Sequence, residues 1–137
     1  MKLAEIRFLS ASEHLQSVRC QARNALNGMG FANDELNCII LAVGEACMNI
    51  IQHAYGPDMK GEIILDIIDN GDSVTFKLTD FAPPVDTSKI KSRCLTDIRP
   101  GGLGVHFIKE VMDHVELRND PEGIGNVLIM IKNRPKS

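Results

Sequence analysis

The stretch GEACMNIIQHAYG, Gly44 to Gly56, sets Glu45 and Asn49 one helical turn apart, with Gln52 and His53 on the next turn. It lies in the longest apolar segment of the chain, DELNCIILAVGEACMNII. At 100° per residue, Glu45, Asn49 and Gln52 fall within a sector of about 60°, with His53 at its edge. Asp34 and Asn37 fall near the same side a few turns earlier. The plain reading is a solvated stripe on an amphipathic helix. Two features weigh against it. Cys38, Leu41 and Met48 interrupt the polar sector, and the stripe lacks the Lys and Arg that usually populate an exposed helix face. A carboxylate and an amide oxygen about 6 Å apart along the axis suit a site for a hydrated cation. Magnesium takes few protein oxygens and fills its sphere with phosphate and water.

Two further stretches carry candidate chemistry. In RPGGLGVHFIKEVMD, glycines 101, 102 and 104 directly precede a predicted helix, so backbone N–H groups can meet an anion at the positive end of the helix dipole. The pattern is weak alone, because glycines also simply turn a chain into a helix. No Gly-Lys-Ser/Thr follows, as a Walker loop needs, and no strand leads into the glycines, as a dinucleotide fingerprint needs. In VTFKLTDFAPPVD, Asp80 closes an apolar alternating strand before a rigid Ala-Pro-Pro segment. It is either a turn-forming aspartate or a carboxylate at the base of an apolar slot, placed to accept a hydrogen bond from an exocyclic amine such as that of adenine.

The elements that must position these residues follow from periodicity. KLAEIRFL reads as an opening strand; Ser10 or Ser12 caps a helix with Glu13 in its first turn, ended by Gly28 and Gly30. A second helix runs from a cap near Asn33 or Asp34 to Gly56-Pro57. GEIILDIID and SVTFKLTD are strands joined by the hairpin signal NGD. FAPPVDTSKIKSRCLTDIRPGG has no clear periodicity, and a loop of that length in a compact domain is usually functional or disordered. LGVHFIKEVMD is a third helix, HVELRN a strand, DPEGIG a turn and NVLIMIKN the closing strand. The order β-α-α-β-β-loop-α-β-β predicts an α+β two-layer sandwich, with helices on one face of a mixed, largely antiparallel sheet.

Composition sets the bounds. A chain of 137 residues fits one domain over 1–137, able to bury roughly two-thirds of its unfolded surface. A net charge of −3 gives no bulk attraction to nucleic acid or anionic membrane. The start lacks a signal-peptide core, and no apolar run approaches the roughly 18 residues of a membrane span. Cys20, Cys38, Cys47 and Cys94 show no CxxC spacing, with Cys38 and Cys47 read as buried thiols, and the four histidines are scattered. A reduced, cytoplasmic protein is expected.

The order of the motifs is more specific than any one of them. Glu45-Ala46-x-x-Asn49-x-x-x-His53-Ala54-Tyr55, then DFAPPVD, then GGLGVxFIKEVMD resembles the GHKL ATPase superfamily with its histidine-kinase-like ATPase fold. More narrowly, it resembles the stand-alone anti-sigma factor serine kinases. The resemblance spans the chain from about Phe31 to its end, and the opening strand and helix agree with it. It implies ATP and Mg2+ as cofactors, with Asn49 on the metal and Glu45 as general base. It places Asp80 on adenine, backbone of Gly102, Leu103 and Gly104 on phosphate, and an ATP lid over about residues 82–101. Arg99 is the nearest basic residue to the phosphates, with Lys89, Lys91 and Arg93 earlier in the lid. Ala82 stands where the superfamily commonly has glycine, and Pro83-Pro84 stiffens the stretch. His53 is read as packing or capping, and Gly123 and Gly125 as a turn feeding a strand.

The resemblance implies an anti-sigma factor that phosphorylates a small anti-sigma factor antagonist on serine and sequesters a sigma factor. Such kinases often act as homodimers, and Ile6, Phe8 and Val18 are the candidate interface residues. The competing reading is a non-catalytic, nucleotide-gated binding module that sequesters a regulatory protein.

Overall fold

The computed structural model describes residues 1–55, 61–81, 102–119 and 125–135. Strand β1 (Lys2–Leu9) leads through a 3-10 turn, Ser12–His14, into α1 (Leu15–Ala25) and α2 (Asn33–Asn49), which continues as a π-helix, Ile50–Tyr55. Then come β2 (Glu62–Asp69), β3 (Ser73–Asp80), α3 (Gly102–Val111), β4 (His114–Asn119) and β5 (Asn126–Asn133). The strands form one sheet in the order β1-β2-β3-β5-β4, and every neighbouring pair is antiparallel.

Strand alternation makes one face of the sheet the floor of the core. Ile63, Leu65 and Ile67 of β2 and Val74, Phe76 and Leu78 of β3 are fully buried, while the residues between them are only half-buried. The register stacks Leu65 beside Leu78 and Phe76 beside Met130. On this floor lie Val18 and Ala22 of α1, Leu26 at its C-cap, and Ile39, Val43, Ala46 and Cys47 of α2. Each fully buried side chain of this size stabilises the fold by about 1.5–3 kcal/mol. The β2–β3 hairpin forms where the NGD signal predicts it. Gly71 adopts a φ of 96° there, and the Asn70 amide donates to the Ser73 carbonyl at 2.9 Å.

The helix boundaries differ from expectation in three places. Neither serine caps α1, which starts at Leu15 with no side-chain cap bond. The Ser10 hydroxyl instead accepts the Gly61 amide at 2.9 Å, while the Ser10 amide donates to the Gly61 carbonyl at 2.8 Å, clasping the end of β1 to the approach of β2. Helix α2 is capped by Ala32 in extended backbone without a side-chain bond, so Asn33 and Asp34 lie in its first turn. There Asp34 and Glu35 complement the helix dipole. After Asn49 the helix widens into the π form, whose hydrogen bonds reach five residues rather than four. The 100° spacing therefore holds for Glu45 and Asn49 but does not carry on to Gln52 and His53. Gly28 and Gly30, with φ of 87° and 93°, follow α1 as expected of its terminator.

The proposed interface residues Ile6, Phe8 and Val18 all belong to the core, so they present no surface to a second copy. The alternation of β1 points Ile6 and Phe8 inward under α1. Cys38, read as buried, is exposed, whereas Cys47 is buried. Among the described residues no helix is long and apolar enough to cross a membrane.

Candidate functional site

Helix α2 carries no Lys or Arg between Asn33 and Asn49. Its inner side is buried through Ile39, Ile40, Val43, Ala46 and Cys47, which fixes the rotation of the helix on the sheet. Glu45 and Asn49 then emerge, half-buried, on the opposite side one turn apart. The surface around them is mixed, with Leu41 51% exposed, Cys38 exposed and Met48 half-buried. Glu45 and Asn49 thus share one half-buried strip of α2, the helix against which α3 packs.

Asp80 is the last residue of β3 and continues the inward series Val74, Phe76, Leu78. It is only 3% exposed. A carboxylate taken that far from water needs hydrogen-bond donors. One comes from Asn126, its register partner on β5 and itself 2% exposed, whose Nδ2 donates to Asp80 Oδ1 at 2.9 Å. Gly125 makes this approach feasible. A Cβ there would run into the backbone carbonyl of Asp80 and lie 3.0 Å from the Phe81 Cα. Asn126 is a site residue that the motifs do not indicate, and Gly125 does more than turn the chain. The available signal was the break in the inward alternation of β5, where an amide precedes Leu128 and Met130.

The glycine motif forms the start of α3 itself. Gly102, Leu103 and Gly104 lie in its first turn rather than before it. The first four N–H groups of an α-helix lack intrahelical partners and carry the positive end of its dipole. The expected lid over 82–101, with Arg99, Lys89, Lys91 and Arg93, lies outside the described residues, and so do Gly123 and the side chain of His53.

A second unforeseen arrangement joins α1 to α2. The Arg19 guanidinium crosses α2 at Gly44, where a Cβ would come within 2.5 Å of Nε and 2.9 Å of Nη2. Its Nε is buried without a hydrogen-bond partner. One turn on, burial pushes the Cys47 thiol up to about 12, against the opposing pull of the Arg19 charge. Arg23 Nη2 reinforces the helix pair by donating to Asn37 Oδ1 at 2.6 Å.

The donor set fits a cation shared with a ligand. No three His, Cys, Asp or Glu side chains converge as a self-sufficient cage among the described residues. Asn49 offers one amide oxygen, and a magnesium ion there would complete its shell from phosphate and water. Buried Asp80, oriented by Asn126, fits the amine edge of a base.

The profile of the histidine kinase-like ATPase domain matches residues 8–132. A serine-protein kinase RsbW of Bacillus cereus (strain AH820) is 31% identical over 140 residues, covering 93% of this chain and 82% of the relative. Its namesake from Bacillus subtilis (strain 168) is 30% identical over 128 residues, covering 84% and 77%. Among solved structures, the RsbU and RsbW domains of a Mycobacterium tuberculosis protein superpose with a TM-score of 0.66 at 16% identity, over 98% of this chain and 33% of that one. A mycobacterial sensor histidine kinase, MprB, gives 0.58 at 13% identity over 97% and 100%. The last two likenesses establish the α+β fold, and the profile establishes the kinship: this chain belongs to the histidine kinase-like ATPase family.

Proposed function

We propose that this protein is an ATP- and magnesium-dependent protein-serine kinase that acts as an anti-sigma factor in the cytoplasm. Its substrate is a small anti-sigma factor antagonist, and the kinase itself sequesters a sigma factor. The observation that carries the reading is the pairing of Glu45 with Asn49 on one half-buried strip of α2. A nucleotide-binding module needs no carboxylate there, whereas a kinase needs a base beside its metal ligand. Relatives that carry the name serine-protein kinase support it.

In this reading Asn49 holds the metal through its side-chain oxygen. Asp80, kept in orientation by Asn126, accepts a hydrogen bond from the adenine amine. Backbone N–H groups of Gly102, Leu103 and Gly104 meet phosphate at the start of α3, and Arg99, within the expected lid over 82–101, is the basic residue assigned to the same charge. Glu45 accepts the proton of the acceptor serine hydroxyl. Bound magnesium-ATP would supply the phosphoryl group, which would pass to the serine oxygen as ADP leaves, and the metal would neutralise the charge that develops.

The test is transfer of labelled phosphate to a serine of a candidate antagonist protein. Wild type should transfer, and Glu45→Gln should do so about 10²–10⁴-fold more slowly with nearly unchanged ATP affinity. A wild type that binds ATP and its partner tightly yet transfers nothing is the nucleotide-gated binding module instead.

A further inference from the structure

Four large hydrophobic side chains stand exposed among the described residues: Met1, Leu9, Leu41 and Phe81. Met1 is the chain terminus, Leu9 ends the edge strand and Phe81 follows β3. Leu41 alone projects from a helix, and it stands one turn before Glu45. A single exposed leucine is ordinary on a protein surface and by itself signifies nothing. Its position is what matters. Taking Glu45 as the origin and 100° per residue, Leu41 lies at about −40° and Met48 at about −60° around the α2 axis, while Cys38 lies at about +20°. Glu45 is thus bordered by an apolar strip on the side towards α1, where Arg19 crosses Gly44.

A protein acceptor that docks at Glu45 from the side of α1 covers this strip. Its hydroxyl must come within about 2.6–3.2 Å of the carboxylate, while Leu41 is only about 6 Å away along the helix. The surface that carries the serine therefore rests on Leu41 and Met48. Helix α2 itself carries Asp34, Glu35 and Glu45 and no basic residue, but Arg19 and Arg23 of α1 flank the strip at Gly44 and Asn37.

We infer that Leu41, with Met48 beside it, is the docking and specificity contact for the acceptor protein, receiving an apolar side chain held about 6 Å from the acceptor serine. The inference rests on the kinase reading given above. It adds the kind of surface the partner must present. Leu41 is not among the residues assigned to nucleotide or metal, so its replacement is expected to act on the protein substrate.

The experiment measures phosphate transfer by the full chain to the antagonist protein that wild type phosphorylates, over a range of acceptor concentrations, beside calorimetric ATP affinity. Leu41→Glu keeps good helix propensity at an exposed position, so folding is preserved. It should raise KM for the acceptor by about tenfold or more, the scale of a lost interface contact, with kcat and ATP affinity within about twofold of wild type. Leu41→Met should stay near wild type. As a second readout, maleimide labelling of exposed Cys38 should slow when saturating acceptor and a non-hydrolysable ATP analogue are added to wild type. An unchanged KM in Leu41→Glu, or Cys38 labelling unaffected by acceptor, overturns the docking surface and leaves the kinase standing. Absence of transfer by wild type to every antagonist tried overturns the kinase reading and this inference with it.

Discussion

Asn126 Nδ2 donates to Asp80 Oδ1 at 2.9 Å between two side chains that face each other across the β3–β5 register. The donor is neutral, so this hydrogen bond orients the buried carboxylate without itself forming an ion pair. A lysine or arginine in its place would have spent that charge on an ion pair. For a carboxylate meant to read an amine, a neutral orienting partner is the suitable one.

The first prediction removes that partner. Asn126→Ala takes a donor from a buried carboxylate and should lower stability by about 1–3 kcal/mol in urea titration, weakening adenine nucleotide binding at the same time. Asn126→Asp should show a pH signature. Two carboxylates this close raise each other's pKa in the folded state. Such a group stabilises only below its unfolded pKa and loses that contribution as pH rises, so the deficit of Asn126→Asp against wild type should grow between about pH 4 and pH 7. A deficit that does not change with pH would mean that the pair separates in the variant.

The second prediction concerns Gly125. A methyl group there meets the Asp80 carbonyl and the Phe81 Cα, both of them backbone atoms that cannot swing aside. Gly125→Ala should cost about 1–3 kcal/mol and displace Asp80, so that adenine affinity falls with stability. Retained wild-type stability would show that β5 shifts freely against β3, contrary to the close approach seen here.

These two residues mark where the sequence stopped being legible. The strands over 62–69 and 73–80 could be read because a period of two is written locally in Ile63, Leu65, Ile67 and Val74, Phe76, Leu78. The Glu45–Asn49 spacing was readable for the same reason. The role of Asn126 depends on register, which joins residues 46 positions apart. Capping is a local pattern that offers Ser10 or Ser12 as the helix cap, yet the Ser10 hydroxyl takes the Gly61 amide, 51 positions away. The π-helix after Asn49 escaped because a 3.6-residue period was assumed throughout. Arg19 over Gly44 escaped because a glycine inside a helix does not say what crosses it.

The third prediction uses the thiols. Burial holds Cys47 at about 12, against an ordinary value of 9.0. Its unfolded thiol ionises from pH 9 while the folded thiol does not, so the unfolded state gains and stability falls as pH rises. The slope is about 1.4 kcal/mol per pH unit between those values. Cys47→Ala lacks this contribution, so the stability advantage of wild type over the variant should shrink by that slope above pH 9. In the native protein Cys20 and Cys38 should react with maleimide and Cys47 should not. Native labelling of Cys47 at the rate of Cys38 would contradict its burial.

The last prediction separates metal binding from base catalysis on α2. Asn49 is the final α-helical residue before the π-helix, so its backbone is set by regular helix below and a widened turn above. As a metal ligand it should matter only when the metal is present. Asn49→Ala should bind ATP like wild type in excess chelator, and should lose most of the gain that magnesium confers on wild type. The loss should be on the order of 10–100-fold, since even groups that merely support a metal ligand contribute that much. Glu45→Gln should show the opposite pattern, keeping the magnesium gain and losing turnover. Calorimetry of ATP binding with and without magnesium, run on all three proteins, decides the matter. An Asn49→Ala defect of equal size in both conditions would place Asn49 on the nucleotide rather than on the metal.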